Sequence, residues 1–145
     1  MDFLNSIQTS SSGLSAQRLR MNLISGNLAN VNTTRTREGG PYRRKEAIFA
    51  AKPMESVFNK ILTDRLKNQT TGVQVDRIYE DPSPPLMKYD PSHPDANAKG
   101  YVAMPNINPM EEMVNMISAS RGFEANVTAI KAAKEMALKA LEIGR

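Results

Sequence analysis

At 145 residues, with 40% hydrophobic and 6% aromatic residues and no Trp, the chain has room for one domain but not for a large aromatic core. Nine Met supply adaptable packing instead, and the absence of Cys excludes a disulfide framework, a thiolate metal site and a Cys nucleophile. The net charge of +4 is local: residues 1–50 hold seven Lys/Arg against three Asp/Glu, and five of the seven lie between Arg35 and Lys45.

The chain opens Met1-Asp2-Phe3-Leu4, with no basic stretch leading into an apolar one, so no cleavable secretory signal is expected. No apolar run approaches the ~20 residues that span a bilayer. From Phe3 to Val31 spacings of four and three alternate through Phe3, Ile7, Ser10, Leu14, Gln17, Met21, Ile24, Leu28 and Val31. Seven of these nine are apolar, which predicts a coiled-coil-like helix. Its other faces are Ser, Asn, Gln and Thr with few charges, which suits a helix surrounded by protein rather than by water.

The middle of the chain is different in kind. Tyr42–Ala50 and Val73–Glu80 read as strands, and Leu86–Tyr89 and Tyr101–Met104 as shorter ones. Met54, Val57, Phe58, Ile61, Leu62 and Leu66 have helical spacing. Pro82, Pro84, Pro85, Pro91 and Pro94 stiffen Asp81–Asp95 into turns and extended backbone.

A second long helix then begins at Asn108 (cap), Pro109 (first helical position) and Glu111 (capping-box position). The same spacing recurs through Met113, Met116, Ser120, Phe123, Val127, Ile130, Lys134, Ala137 and Leu141, and Gly144 is placed to close it. At ~1.5 Å per residue the two helices would run roughly 45 and 50 Å, a match that predicts an antiparallel pair. The expected fold is therefore mainly α with a small β insertion. Residues 1–32 and 109–145 form one discontinuous helical domain, and residues 33–108 form a loop-rich insertion at one end of the hairpin. An ordinary helical bundle is the alternative, but the middle supplies no further long helices.

Three stretches invite chemical readings. Asp90-Pro91-Ser92-His93-Pro94-Asp95 holds the single His between two Asp, yet these residues share one proline-bounded turn, and turn chemistry accounts for them. Glu111 and Glu112 are adjacent on a helix and point about 100° apart, which suits the helix dipole and not a facing pair of catalytic acids. The basic run with Arg35, Arg37, Tyr42, Arg43, Arg44 and Lys45 could meet phosphates, but its Gly39-Gly40-Pro41 marks a turn and no extended groove accompanies it. A solvated loop, or one that grips acidic neighbours in an assembly, is the expected role. A nucleic-acid-binding protein would show salt-sensitive DNA retention, and a cell-wall hydrolase would need a cleft with facing acids.

Residues Leu14–Thr34 (LSAQRLRMNLISGNLANVNTT) resemble the N-terminal signature of bacterial flagellar rod and hook proteins, and Pro105–Asn126 (PNINPMEEMVNMISASRGFEAN) their C-terminal signature. Between them Thr34–Lys45, Glu80–Pro85, Tyr89–Ala96 and Gly100–Pro105 are most similar to the proximal rod members; Ala51–Gly72 is not matched. Arg37 stands where Pro is expected and Gly122-Phe123 where Ser-Tyr is common. The resemblance implies a structural subunit without catalytic residues, cofactor or metal. It would stack with copies of itself and other rod proteins into the periplasmic drive shaft. The basal adaptor at the membrane ring would be another partner, and the flagellar type III exporter would pass the chain uncleaved. Helix pairing or subunit contact would fall to Phe3, Ile7, Leu14, Met21, Ile24, Leu28 and Val31, with Met113, Met116, Phe123, Val127, Ile130 and Leu141.

A single narrow seam must order roughly thirty residues on each side, at about 1–2 kcal/mol of backbone entropy per residue, and Ser, Asn and Thr are mediocre helix formers. The terminal helices of the free subunit should therefore be largely unformed until assembly. Circular dichroism and amide exchange on dilute monomer should show weak helicity and little protection. Strongly protected amides across Phe3–Val31 and Met110–Leu141 in a proven monomer would contradict this.

Overall fold

The computed structural model describes residues 3–53 and 71–143. Helix α1 (Phe3–Ala29) is followed by β1 (Lys45–Pro53), β2 (Thr71–Glu80), β3 (Leu86–Tyr89), β4 (Tyr101–Met104) and helix α2 (Pro109–Ile143). Two long terminal helices with short antiparallel strands between them are thus present, as expected from the spacing. The helix anticipated around Met54–Leu66 and the closing Gly144 lie outside the described residues.

Local chemistry sets the ends. α1 stops at Ala29, two residues before the end of its apolar pattern, because the Asn30 side chain donates to Gly26 O (2.9 Å) and its carbonyl accepts the Thr33 N–H (3.0 Å). α2 starts as a capped helix: the Met110 N–H donates to Asn108 Oδ1 (3.1 Å), and Pro109 occupies the first turn, where a missing N–H costs nothing. β1 begins at Lys45 rather than Tyr42, since the Tyr42 N–H turns back to Thr33 O (3.1 Å) and closes the basic loop. β3 and β4 have the predicted limits.

The strands form two separate two-stranded antiparallel sheets, β1–β2 with a bulge between Ile48 and Phe49, and β3–β4. The β1–β2 ribbon does not sit at one end of the hairpin, contrary to the sequence expectation. It lies along α1. Lys45, at the start of β1, is bonded to Asn27, while the Val73 N–H, on the strand position facing Ala51, donates to Ser12 Oγ (3.0 Å). The fifteen residues of α1 between Ser12 and Asn27 span ~22 Å, and the six steps of β1 from Lys45 to Ala51 span ~20 Å, so ribbon and helix keep pace. Gly72, in β2, is buried.

α1 also packs along α2, and the inward row of α2 is Glu112, Met116, Ala119, Phe123, Asn126, Ile130, Ala133 and Ala137. The expected row shared Met116, Phe123, Ile130 and Ala137, but its alternate members were Met113, Ser120, Val127, Lys134 and Leu141. Met113 (41%) and Leu141 (72%) are exposed in the subunit, Lys134 is exposed, and Val127 is half-buried. Two rows one residue apart both satisfy four-three spacing. Bulk favoured the later one on paper; close approach of two backbones selects the earlier one, with Ala119 and Ala133 wholly buried. On α1 the deepest residues are Ala16, Ile24 and Asn27; Ile7, Leu14, Met21 and Leu28 are half-buried, as is Val31 just past its end, and Phe3 is exposed. Apart from this seam, the described core is Val102 and Ile107 with buried Pro105, on the stretch that leads β4 into α2.

Ala133→Leu should overpack the seam by about 1–3 kcal/mol, whereas Lys134→Leu, one residue on, should leave hairpin closure intact. The amount of each variant recovered in the protein's native assembly, by immunoblot, checks the order; equal recovery would contradict the observed row.

Candidate functional site

The most buried polar side chains are not on the surface loop that carries the charge excess but at the junction below it. Asn27 and Glu112 are 0% and 1% exposed. Asn27 Nδ2 donates to Glu112 Oε2 and to Lys45 O (2.9 Å each), while its Oδ1 accepts from the Lys45 N–H (2.9 Å) and the Tyr42 hydroxyl (3.2 Å). A carboxamide has two donors and two acceptor positions, so this one is fully used. Glu112 Oε1 accepts from Arg44 Nε (2.8 Å), and Arg44 Nη1 reaches Glu46 Oε2 (2.9 Å). One network therefore ties α1, α2, β1 and the base of the basic loop together.

Electrostatics follow the geometry. Burial would lower the Arg44 pKa, but its hydrogen bonds to Glu112 and Glu46 hold it above the usual guanidinium value, so it stays charged beside the buried carboxylate. Burial raises the Tyr42 phenol despite nearby Lys45, which keeps it a neutral donor to Asn27. Lys45 is raised by its hydrogen bond to Glu80 (3.1 Å). The carboxamide at the centre of this network has no spare donor or acceptor to offer a substrate; it can fix orientation.

The basic run divides accordingly. Arg44 and Lys45 are spent inside the subunit, while Arg35, Arg37 and Arg43 are exposed, without an ion pair among the described residues. The loop that presents them is a tight turn, with Thr36 N–H to Gly40 O (2.9 Å) and Gly39 and Gly40 at φ 89° and 78°, a conformation only glycine takes without strain. On either side of Tyr42 and Arg43 lie shallow open pockets of about 200 and 240 Å³, one walled by Gly39–Pro41 and Pro82–Pro85, the other by Thr36–Gly39 and Glu80.

The Asp90–Asp95 stretch is a local turn. Ser92 Oγ donates to Asp90 Oδ1 (2.7 Å) rather than to the imidazole, and His93 Nδ1 accepts from the Asp95 N–H (3.1 Å). The bond from Ser92 lowers the Asp90 pKa. Asp95 in turn accepts from Thr34 Oγ1 (2.7 Å), pinning this loop to the base of the basic turn. Among the described residues there is no cluster of three or more metal-ligating side chains and no helix long and apolar enough to cross a membrane.

Sequence reasoning gave Glu112 only a dipole role and did not single out Asn27. A signal was present: Asn27 follows Ile24 by three on the buried stripe, and Glu112 precedes Met116 by four. Both sit where an apolar residue is expected.

The helical segments match two known family descriptions: residues 7–35 match "Flagella basal body rod protein", and residues 98–143 match "Flagellar basal body rod FlgEFG protein C-terminal". Full-length relatives agree. The chain is 49% identical to the flagellar basal-body rod protein FlgC of Borreliella burgdorferi, covering 99% of this chain and 98% of the relative. It is 47% identical to FlgC of Bacillus subtilis over the whole of both chains, and 37% to FlgC of Escherichia coli O6:H1, also over both whole chains.

Removing one partner from the joint leaves buried polar groups unpaired. Arg44→Ala strands a buried carboxylate at a cost of about 3 kcal/mol, the low end for buried pairs because Arg44 is partly open to water. Asn27→Ala orphans the Lys45 N–H and a Glu112 oxygen at about 1–3 kcal/mol each. Both should lower motility and subunit recovery in basal bodies, and so should Glu112→Gln, whose amide nitrogen would face a donor on Asn27 or Arg44; Arg44→Ala with Glu112→Gln, which removes that donor, should recover part of the single-variant loss. Full activity of Arg44→Ala would show that the ion pair carries nothing.

Proposed function

Because the chain belongs to the FlgC family of flagellar basal-body rod proteins, we propose that its helical hairpin and basic loop are its two contact surfaces within the rod. It is a structural subunit of the flagellar basal body, where it assembles with other rod components. The observation that carries the surface reading is an apolar stripe left open on the outer side of α2: Met110, Val114 and Ile117 are 67%, 64% and 54% exposed, with Met113 beside them. Their i, i+3, i+4, i+7 spacing makes them one continuous face, and further along Met136, Leu138 and Leu141 are also exposed. Neighbouring subunits covering these residues would supply the burial that the thin internal seam lacks.

In this reading Phe3, Met113 and Leu141, which are exposed in the single subunit, belong to contacts with neighbours, and the internal members of the seam hold a coiled-coil-like hairpin. Residues 1–32 and 109–145 act as one helical unit, and residues 33–108 as the insertion that aims the basic loop. Arg35, Arg37 and Arg43 meet acidic surfaces of adjacent rod proteins or of the basal adaptor at the membrane ring. The subunit works in the periplasm without catalysis or cofactor, passes torque along the axis, and is delivered by the flagellar type III exporter.

Two variants separate the surfaces. Val114→Asp with Ile117→Asp should abolish incorporation of the subunit into the rod, and Arg35→Glu with Arg37→Glu and Arg43→Glu should do the same, both with secretion retained. Normal basal bodies and swimming in either variant would remove that surface from the reading.

A further inference from the structure

Two contacts lie deeper in the hairpin than the joint at Asn27. At Gly13 of α1, a Cβ would fall 3.1 Å from both amide heavy atoms of Asn126 on α2. At Gly122 of α2, a Cβ would fall 3.2 Å from Nε2 of Gln17 on α1. Each helix thus lays a carboxamide over a glycine of the other. Asn126 is held in this position by its own bond to Gly122 O (2.8 Å). Gln17 Oε1 is buried with no hydrogen-bond partner, so this side chain occupies its place by shape and not by pairing.

The two contacts are one device. Gln17 follows Gly13 by four residues and Gly122 precedes Asn126 by four, so both pairs belong to the same antiparallel register. Asn27 lies ten residues beyond Gln17, and its partner Glu112 ten residues before Gly122, which is again the same register.

The apolar pattern alone does not choose that register. The seven-residue row of α2 reads Glu112, Ala119, Asn126 and Ala133, so sliding one helix by seven in either direction brings Gly13 against an alanine and keeps the seam. The amides are what object. In one slipped register Asn126 faces Arg20 and Gln17 faces Ala129; in the other they face Ser6 and Asn115. No glycine remains beneath them in either case, and a Cβ only 3.1–3.2 Å from a carboxamide is tighter than ordinary van der Waals contact, so the amides would have to give way in a slipped register. A seven-residue slip moves the outer stripe of α2 by ~10 Å relative to α1.

We propose that the Gly13–Asn126 and Gln17–Gly122 pairs are the register key of the hairpin, excluding the one-heptad slips that its apolar seam tolerates. They thereby determine which residues of α1 and α2 stand side by side on the outer surface. The key is a property of the hairpin itself. Only its consequence for neighbours rests on the interface reading above, and an intrachain crosslink reads the first without the second.

The chain has no Cys, so introduced pairs report cleanly. Ser6→Cys with Ala133→Cys spans the observed register; Ser6→Cys with Ala140→Cys spans the register slipped by seven. In basal bodies treated with a mild oxidant, the first pair should form an intrachain disulfide and the second should stay reduced. Adding Gly13→Ala and Gly122→Ala should raise the second pair above its level in the unaltered chain, short of the first pair because the Asn27–Glu112 joint still favours the observed register. Gln17→Ala with Asn126→Ala, which removes the amides without adding volume, should do the same and supplies the reading if the glycine variant does not reach basal bodies. Oxidation confined to the Ala133→Cys pair in the amide-free background, or equal oxidation of both pairs in the unaltered background, would overturn the proposal.

Discussion

The Asn27 carboxamide sits where α1, α2, β1 and the basic loop meet, and Glu112 keeps its place there because both Asn27 and Arg44 bond to it. An ionised carboxylate taken out of water costs several kcal/mol unless its oxygens are engaged. The partners that engage this one come from positions 27 and 44, far from 112 in sequence. Glu112 is therefore satisfied only when the two helices and the first strand are all in position. Such a group contributes little net stability, yet it strongly disfavours arrangements in which any one of the elements is displaced.

The placement of the β1–β2 ribbon follows from this anchor. Its first residue is fixed by the two bonds between the Asn27 side chain and the Lys45 backbone, and its length brings Val73 to Ser12 at the other end. The ribbon covers one side of α1 and α2 covers another. Small side chains on α1 make both approaches possible, at the expense of buried apolar area. The internal core is consequently thin, with only six hydrophobic side chains fully buried among the described residues, while long apolar side chains remain open on α2. A fold that leaves so much apolar surface for others is suited to a subunit whose final packing is shared with neighbours.

The two stretches that resemble rod and hook proteins hold much of the helix–helix contact. Leu14–Thr34 contains Gln17, Ile24 and Asn27; Pro105–Asn126 contains Glu112, Ala119, Gly122 and Asn126. The likeness thus coincides with pairing geometry: small residues where the helices approach, and polar residues where the approach must occur at one height and no other. Arg35, Arg37 and Arg43 stand outside that geometry, on a turn whose shape depends on Gly39 and Gly40.

Several features were legible in the sequence because they depend on near neighbours. The start of α2 followed from the Asn108-Pro109 cap, β3 and β4 from short β-rich runs between turn residues, and the Asp90–Asp95 turn from Pro and Asx chemistry. The existence of two matched helices followed from spacing and length. Which face of α2 turns inward did not, because rows one residue apart satisfy the same four-three spacing, and only the distance between two backbones favours Ala119 and Ala133 over Ser120 and Lys134. The ribbon's course along α1 was hidden for a similar reason, since it is fixed by single bonds between residues up to 61 positions apart. Arg43 and Arg44 are identical as letters in a basic run. One remains in solvent and the other is drawn to Glu112, because only the folded chain brings a buried carboxylate within 2.8 Å of the second.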